Sequence, residues 1–183
     1  MKKLPVSFYE RNDVVLVARE LLGKLLCTRF DGMVTTGRIV ETEAYVAFTD
    51  RASHAYNGKR TARNEHMYAA GGTIYVYICY GMHQMLNIVT NKKEIPDAVL
   101  IRAIEPVMGI DSMLERTGKS AADFTLTKGP GNLAKAFGIY KHHSGYFLTG
   151  PTIAFYKDAE SAINEKLIVI SRRIGVESAG KDA

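Results

Sequence analysis

The chain has 183 residues, of which 46% are hydrophobic and 23% charged, and its 24 lysines and arginines outnumber 19 acidic residues for a formal net charge of +5. That length supports one well-filled core in a single domain, 1–183, and no stretch approaches the 18 consecutive apolar residues that would read as a membrane span. The basic excess favours a polyanionic partner without identifying one.

The N-terminal Met1-Lys2-Lys3-Leu4-Pro5 runs into polar residues rather than the apolar segment of a signal peptide. Asn12 or Asp13 can cap a helix whose apolar positions Val14, Val17, Ala18, Leu21 and Leu22 recur at helical spacing, with Gly23 as its stop. Strand-like runs follow at Lys24–Phe30 and Met33–Ala44, and the Asp31-Gly32 dipeptide between them suits a tight hairpin. Glu43 therefore falls near a strand end.

From Val46 to Met67 the chain turns polar and irregular, and a short helical turn is expected before Gly71-Gly72. Thr73–Tyr80 then alternates, with Ile74, Val76 and Ile78 on one face and Tyr75, Tyr77 and Cys79 on the other. Past Gly81-Met82 the pattern resumes through Met85–Val89, which predicts a second hairpin with Tyr80 at its tip. Ala98–Ile104 is a further strand, and its Arg102, if buried, needs a partner. Helices are expected over Gly109–Arg116, ended by Gly118, and from Gly131-Asn132 to Gly138. Late strands are expected at Thr152–Tyr156 and Leu167–Ser171. The fold class is α+β: a mainly antiparallel, curved sheet with flanking helices and a protruding β-hairpin.

Cys27 and Cys79 sit in separate apolar runs with no C-x-x-C spacing, so they read as structural thiols of a cytoplasmic protein. The five histidines show no ligand spacing, and no metal is expected. Gly129-Pro130-Gly131-Asn132-Leu133-Ala134 formally fits a dinucleotide-binding loop, but no strand leads into its first glycine and Pro130 occupies the turn, so no cofactor is expected either. A helix N-terminus preceded by Lys128 suits a phosphate contact as well as it suits a plain turn.

Taken singly, Tyr75 and Tyr77 read as ordinary core aromatics on a half-buried strand. Tyr80 has little core to fill at a hairpin tip and has the character of the apolar wedges that enter a base stack. Glu41 and Glu43 share a face and could be a solvated strand edge. The nearby Arg38, Tyr45 and His54 instead favour a carboxylate placed for chemistry.

In order along the chain, R-I-V-E-T-E-A-Y at Arg38–Tyr45, A-S-H at Ala52–His54, R-x-x-R-N at Arg60–Asn64, G-T-I-Y-V-Y-I-C-Y-G-M at Gly72–Met82, L-N-I at Leu86–Ile88, V-L-I-R-A-I-E-P at Val99–Pro106, K-G-P-G-N-L at Lys128–Leu133 and R-I-G-V at Arg173–Val176 resemble the alkyladenine (3-methyladenine) DNA glycosylase family. The resemblance implies a monofunctional enzyme that flips a damaged purine from duplex DNA and hydrolyses its N-glycosidic bond. It casts Glu43 as general base, holding a water with Arg102 and the main-chain carbonyl of Val176. Tyr45, Ala52, His54, Tyr77 and Asn87 would line the base pocket, with Asn87 rejecting the exocyclic amine of guanine. Tyr80 would intercalate, with Met82 and His83 along the minor groove, although His83 stands where a larger aromatic is common. Lys59, Arg60, Thr61, Arg63 and Lys128, with Lys135, would meet phosphates. The expected partner is double-stranded DNA bound by a monomer, with no membrane contact.

Relatives of that family usually continue past R-I-G-V into a Pro-Trp-Arg-Phe-like strand, whereas this sequence ends Gly180-Lys181-Asp182-Ala183 and contains no tryptophan. A missing last strand would bare a sheet edge beside the water site. Two other readings stay open on the residues: a DNA binder without catalysis, and an enzyme that uses the tyrosine slot for a free nucleoside.

Overall fold

The computed structural model describes residues 1–157 and 163–183. Seven strands, β1 (Lys2–Lys3), β2 (Leu25–Phe30), β3 (Met33–Tyr45), β4 (Ile74–Cys79), β5 (His83–Thr90), β6 (Asp97–Met108) and β7 (Ile153–Lys157), form one sheet in the order β1-β7-β2-β3-β6-β5-β4. Every pairing is antiparallel. The helices are α1 (Val6–Tyr9), α2 (Val14–Leu21), α3 (Ile110–Thr117) and α4 (Pro130–Ala136), with short 3-10 turns between elements.

Local chemistry accounts for the two hairpins. Asp31 and Gly32 turn β2 into β3 with φ of 53° and 74°, and Tyr80 and Gly81 turn β4 into β5 with φ of 49° and 73°, the paired positive angles that match the twist of the flanking strands. Asp13, not Asn12, caps α2, its carboxylate accepting the Leu16 N–H at 2.8 Å. That helix buries Val14, Val17, Ala18 and Leu21 against the sheet. Gly118 closes α3 in the left-handed conformation, and Pro130 opens α4, where a missing N–H costs nothing.

The sheet separates two apolar clusters. The larger gathers Ile74, Val76, Ile88, Ile101, Phe137 and Phe155 with the helices. The smaller, on the other side of β4, holds Ala55, Met67, Tyr68, Tyr75, Val89 and Ala98, with Tyr77 packed against it. Alternation along β4 thus delivers its aliphatic residues to the main core and its tyrosines to the second cluster.

Between β3 and β6 the register shifts three times: Val107 is extra on β6, Val40 on β3 and Arg102 on β6. Such bulges re-aim side chains, and here they carry Arg102 across to β3. Beyond Ile39, β2 no longer accompanies β3, so the strand from Glu41 to Tyr45 pairs on one side only among the described residues.

The structure corrects one expected strand and adds elements that patterning did not suggest. Leu167–Ser171 is not a strand: Asn164 accepts the Lys166 N–H and starts a 3-10 turn over Glu165–Leu167, and the following residues are unpaired. Val169 and Ile170 are 86% and 89% exposed, since β-branched residues make a strand only beside a partner. The short β1 and α1 carry too few residues for any periodicity to register. No helix among the described residues is long and apolar enough to cross a membrane.

Gly37 marks a close crossing of β3 and β6. A Cβ there would lie 2.3 Å from Ile104 Cγ2, 2.7 Å from the Glu105 carbonyl oxygen and 2.9 Å from Phe137 Cζ. Gly37→Ala is expected to cost about 1–3 kcal/mol in a urea-unfolding measurement; an unchanged midpoint would show that β6 yields at this point.

Candidate active site

Glu43, at the C-terminal end of β3, is only 7% exposed, so its charge needs partners from the protein. It has three. Oε1 lies 3.2 Å from an Arg102 terminal nitrogen and accepts the Ile174 main-chain N–H at 2.9 Å, while Oε2 accepts the Tyr45 hydroxyl at 2.7 Å. Arg102 also donates its Nε to Glu41 at 3.1 Å. The bulge that makes Arg102 an extra residue lets one guanidinium serve two carboxylates of the neighbouring strand.

A cleft opens beside this carboxylate, lined by Tyr45, Ala52, Ser53, His54, Met67, Tyr75, Tyr77, Asn87 and Ala98. All five residues expected from the sequence to line a pocket are therefore on one surface. His54 meets Tyr77 edge-on at 4.5 Å between ring centroids, and Tyr77 lies 5.6 Å from Tyr75. These three rings make one wall; no ring contact joins Tyr45 to them among the described residues. The free volume is about 20 Å³, room for about one water molecule.

Electrostatics keep the wall uncharged. Burial, reinforced by Arg63 and Lys59, pushes His54 down to about 4, and burial pushes Tyr77 up to about 12. Tyr45 is raised by burial and by its bond to Glu43, Tyr75 by burial. His54 Nδ1 is 2.9 Å from the Tyr75 hydroxyl; a hydroxyl donating there fixes the ring proton on Nε2. The Asn87 amide nitrogen donates to the carbonyls of Met85, at 3.1 Å, and Tyr75, at 3.4 Å.

Outside the cleft, Tyr80 and Met82 project from the β4–β5 turn, 87% and 70% exposed. His83 lies against α4, so close to Gly131 that a Cβ there would fall 2.7 Å from its Nδ1. Of the cations expected to meet phosphates, Lys59, Arg63 and Lys128 are exposed, with Arg63 5.6 Å above the Tyr77 ring and Lys128 5.2 Å from the Phe124 ring. Arg60 is already held by Glu65 at 2.5 Å and Glu94 at 2.6 Å, and Thr61 donates its N–H and hydroxyl to Asn64. Lys135 bonds the Thr117 carbonyl.

Two groups at the site escaped sequence reasoning. Ile174 contributes a main-chain N–H, which no side-chain pattern announces, whereas the Val176 carbonyl accepts the Ala179 N–H at 2.8 Å. Tyr75 lines the cleft beside Tyr77, a position that the i, i+2 spacing of the two tyrosines already carried.

The sequence model for methylpurine-DNA glycosylase matches residues 7–183. Among curated proteins, one from Chlamydia felis is 42% identical over 177 residues, covering 96% of this chain and 89% of that protein. One from Clostridium perfringens (strain 13 / Type A) is 42% identical over 184 residues, covering 97% and 89%. One from Desulfitobacterium hafniense is 41% identical over 186 residues, covering 98% and 90%. All three carry the name "Putative 3-methyladenine DNA glycosylase". These matches define a DNA glycosylase, a hydrolase of base excision repair. The chain belongs to the methylpurine-DNA glycosylase family.

The depressed value at His54 links stability to pH. Because its folded-state value of about 4 lies below the ordinary 6.5, the unfolded chain takes up the proton first as pH falls. Stability present above pH 6.5 is therefore lost as pH drops through about 4. Denaturation measured across that window should show the decline, and His54→Gln should remove up to ~2 to 3 kcal/mol of it. An identical slope in both proteins would assign the decline to other groups.

Proposed function

We propose that this protein releases alkylated purines, 3-methyladenine and 7-methylpurines among them, from duplex DNA by base flipping and direct hydrolysis, with Glu43 as the general base. The supporting observation is the unequal loading of its carboxylate: Oε1 already has two donors and Oε2 only one, from Tyr45. A carboxylate has about four acceptor sites, so Oε2 keeps capacity to accept a proton from water. Breaking a glycosidic bond builds positive charge on the sugar, and the same anion, close to C1′, would balance it.

The cleft suits the leaving base. A purine methylated at N3 or N7 carries positive charge and stacks on tyrosine faces for roughly 1–2 kcal/mol. A neutral His54 sets no charge against it. Lesions with weakened pairing are also cheaper to extrude, and Tyr80 is exposed at the right kind of tip to fill the vacated stack. No lysine lines the cleft, which favours hydrolysis to an abasic site over an amine-linked adduct. Lys59, Arg63 and Lys128 are exposed cations that would meet phosphates. The assignment of Asn87 against guanine, of Met82 and His83 along the minor groove, and of the Val176 carbonyl to the water rests on the resemblance.

Two variants test the reading. Glu43→Gln should bind an alkylated duplex as the unmodified protein does while releasing no methylated base in a single-turnover assay; normal release would remove Glu43 from the chemistry. Tyr80→Ala should slow release from duplex by about tenfold or more, at a cost of ~1 to 3 kcal/mol in stacking, and have little effect on single strands. Equal effects on both substrates would discard the wedge.

A further inference from the structure

We propose that the Asp50–Arg173 ion pair is a positioning latch for catalysis: it seats the segment from Arg173 to Asp182 against the open side of β3 and so delivers the Ile174 N–H to Glu43. The inference rests on Glu43 being the base. Neither latch residue touches Glu43 or lines the cleft.

The pair is buried and tightly made. Arg173 donates to Asp50 through two nitrogens, at 2.6 and 2.9 Å, with side chains 15% and 8% exposed. Its remaining capacity goes to the carbonyl of Ala44 at 3.0 Å, on the edge that β2 leaves unpaired, and to the carbonyl of Asp182. Asp50 is itself fixed by the Ala52 N–H at 2.9 Å, and Ala52 is a cleft wall. The guanidinium also lies 4.6 Å from the centre of the Tyr45 ring, the ring whose hydroxyl bonds Glu43.

Apolar burial does not hold this segment. Leu167, Val169, Ile170 and Ile174 are all more than half exposed, and between Ile163 and Ala183 only Ala179 is buried. The main-chain donor on Glu43 belongs to the residue directly after Arg173, with its Cα about 3.8 Å from the Arg173 Cα. Releasing the guanidinium would free that donor to move away, while the Arg102 contact, carried on β6, would stay. A displacement of about 1 Å in such a group can cost on the order of 100-fold in rate.

Single-turnover excision and duplex affinity are to be measured for Asp50→Asn, Arg173→Gln and the double variant. Each single change should slow excision by about 10- to 100-fold with affinity for the alkylated duplex retained. The double variant should be no slower than the slower single one, because both break one contact. In Arg173→Ala, added guanidinium should restore part of the rate above sodium chloride at equal ionic strength; Asp50→Asn should not respond. Arg173→Lys, which keeps the charge without the two-pronged geometry, should fall between and serves if the others fold poorly. A wild-type rate in Arg173→Gln, beside an inactive Glu43→Gln, would overturn the latch alone. Rate and affinity lost in parallel, or additive losses, would overturn it too. An active Glu43→Gln would instead remove the reading on which it stands.

Discussion

One constraint organises this protein: a carboxylate withdrawn from water must be surrounded by donors that do not exhaust it. Glu43 meets that condition with contributions from three directions, the guanidinium of Arg102 on β6, the hydroxyl of Tyr45 on its own strand and the Ile174 N–H of the distant C-terminal segment. An isolated buried charge would be intolerably costly, and full saturation would leave nothing for water. The paired bulges of β3 and β6, the break in β2 pairing and the docking of the C-terminal segment all serve that local balance.

Much of this was legible in the residues. Asp31-Gly32 and the tyrosine alternation of β4 fixed both hairpins and the split between the two apolar clusters. The need of a buried Arg102 for a partner was legible and the resemblance paired it with Glu43, whereas its second contact, to Glu41, was not foreseen. What stayed hidden has a common cause. A main-chain N–H leaves no mark in a sequence, and neither does a bulge that shifts register by one residue. Leu167–Ser171 misled because strand propensity describes how a side chain fits a sheet, not whether a neighbouring strand exists to receive it. The pairing of Arg60 with Glu65 and Glu94, five and thirty-four residues away, is likewise not legible from its charge.

The β4–β5 turn shows stability being spent locally. Tyr80 adopts a positive φ of 49°, a conformation that disfavours a bulky side chain by roughly 1–2 kcal/mol, and it buries almost nothing in return. Glycine or asparagine would serve the turn better. A strained aromatic held out in solvent is the kind of local exception that accompanies function rather than folding.

The narrowness of the aromatic cleft has a consequence for the search along DNA. With space for about one water, its walls would have to part before a flipped purine could enter, so on the proposed function every base, sound or lesioned, would meet the same barrier to entry. Affinity would be scaled by the fraction of molecules that are open, and a base that recovers little by stacking would leave before hydrolysis. On the proposed function, a closed resting state would penalise ordinary adenine and guanine together, in addition to any contact that refuses one of them.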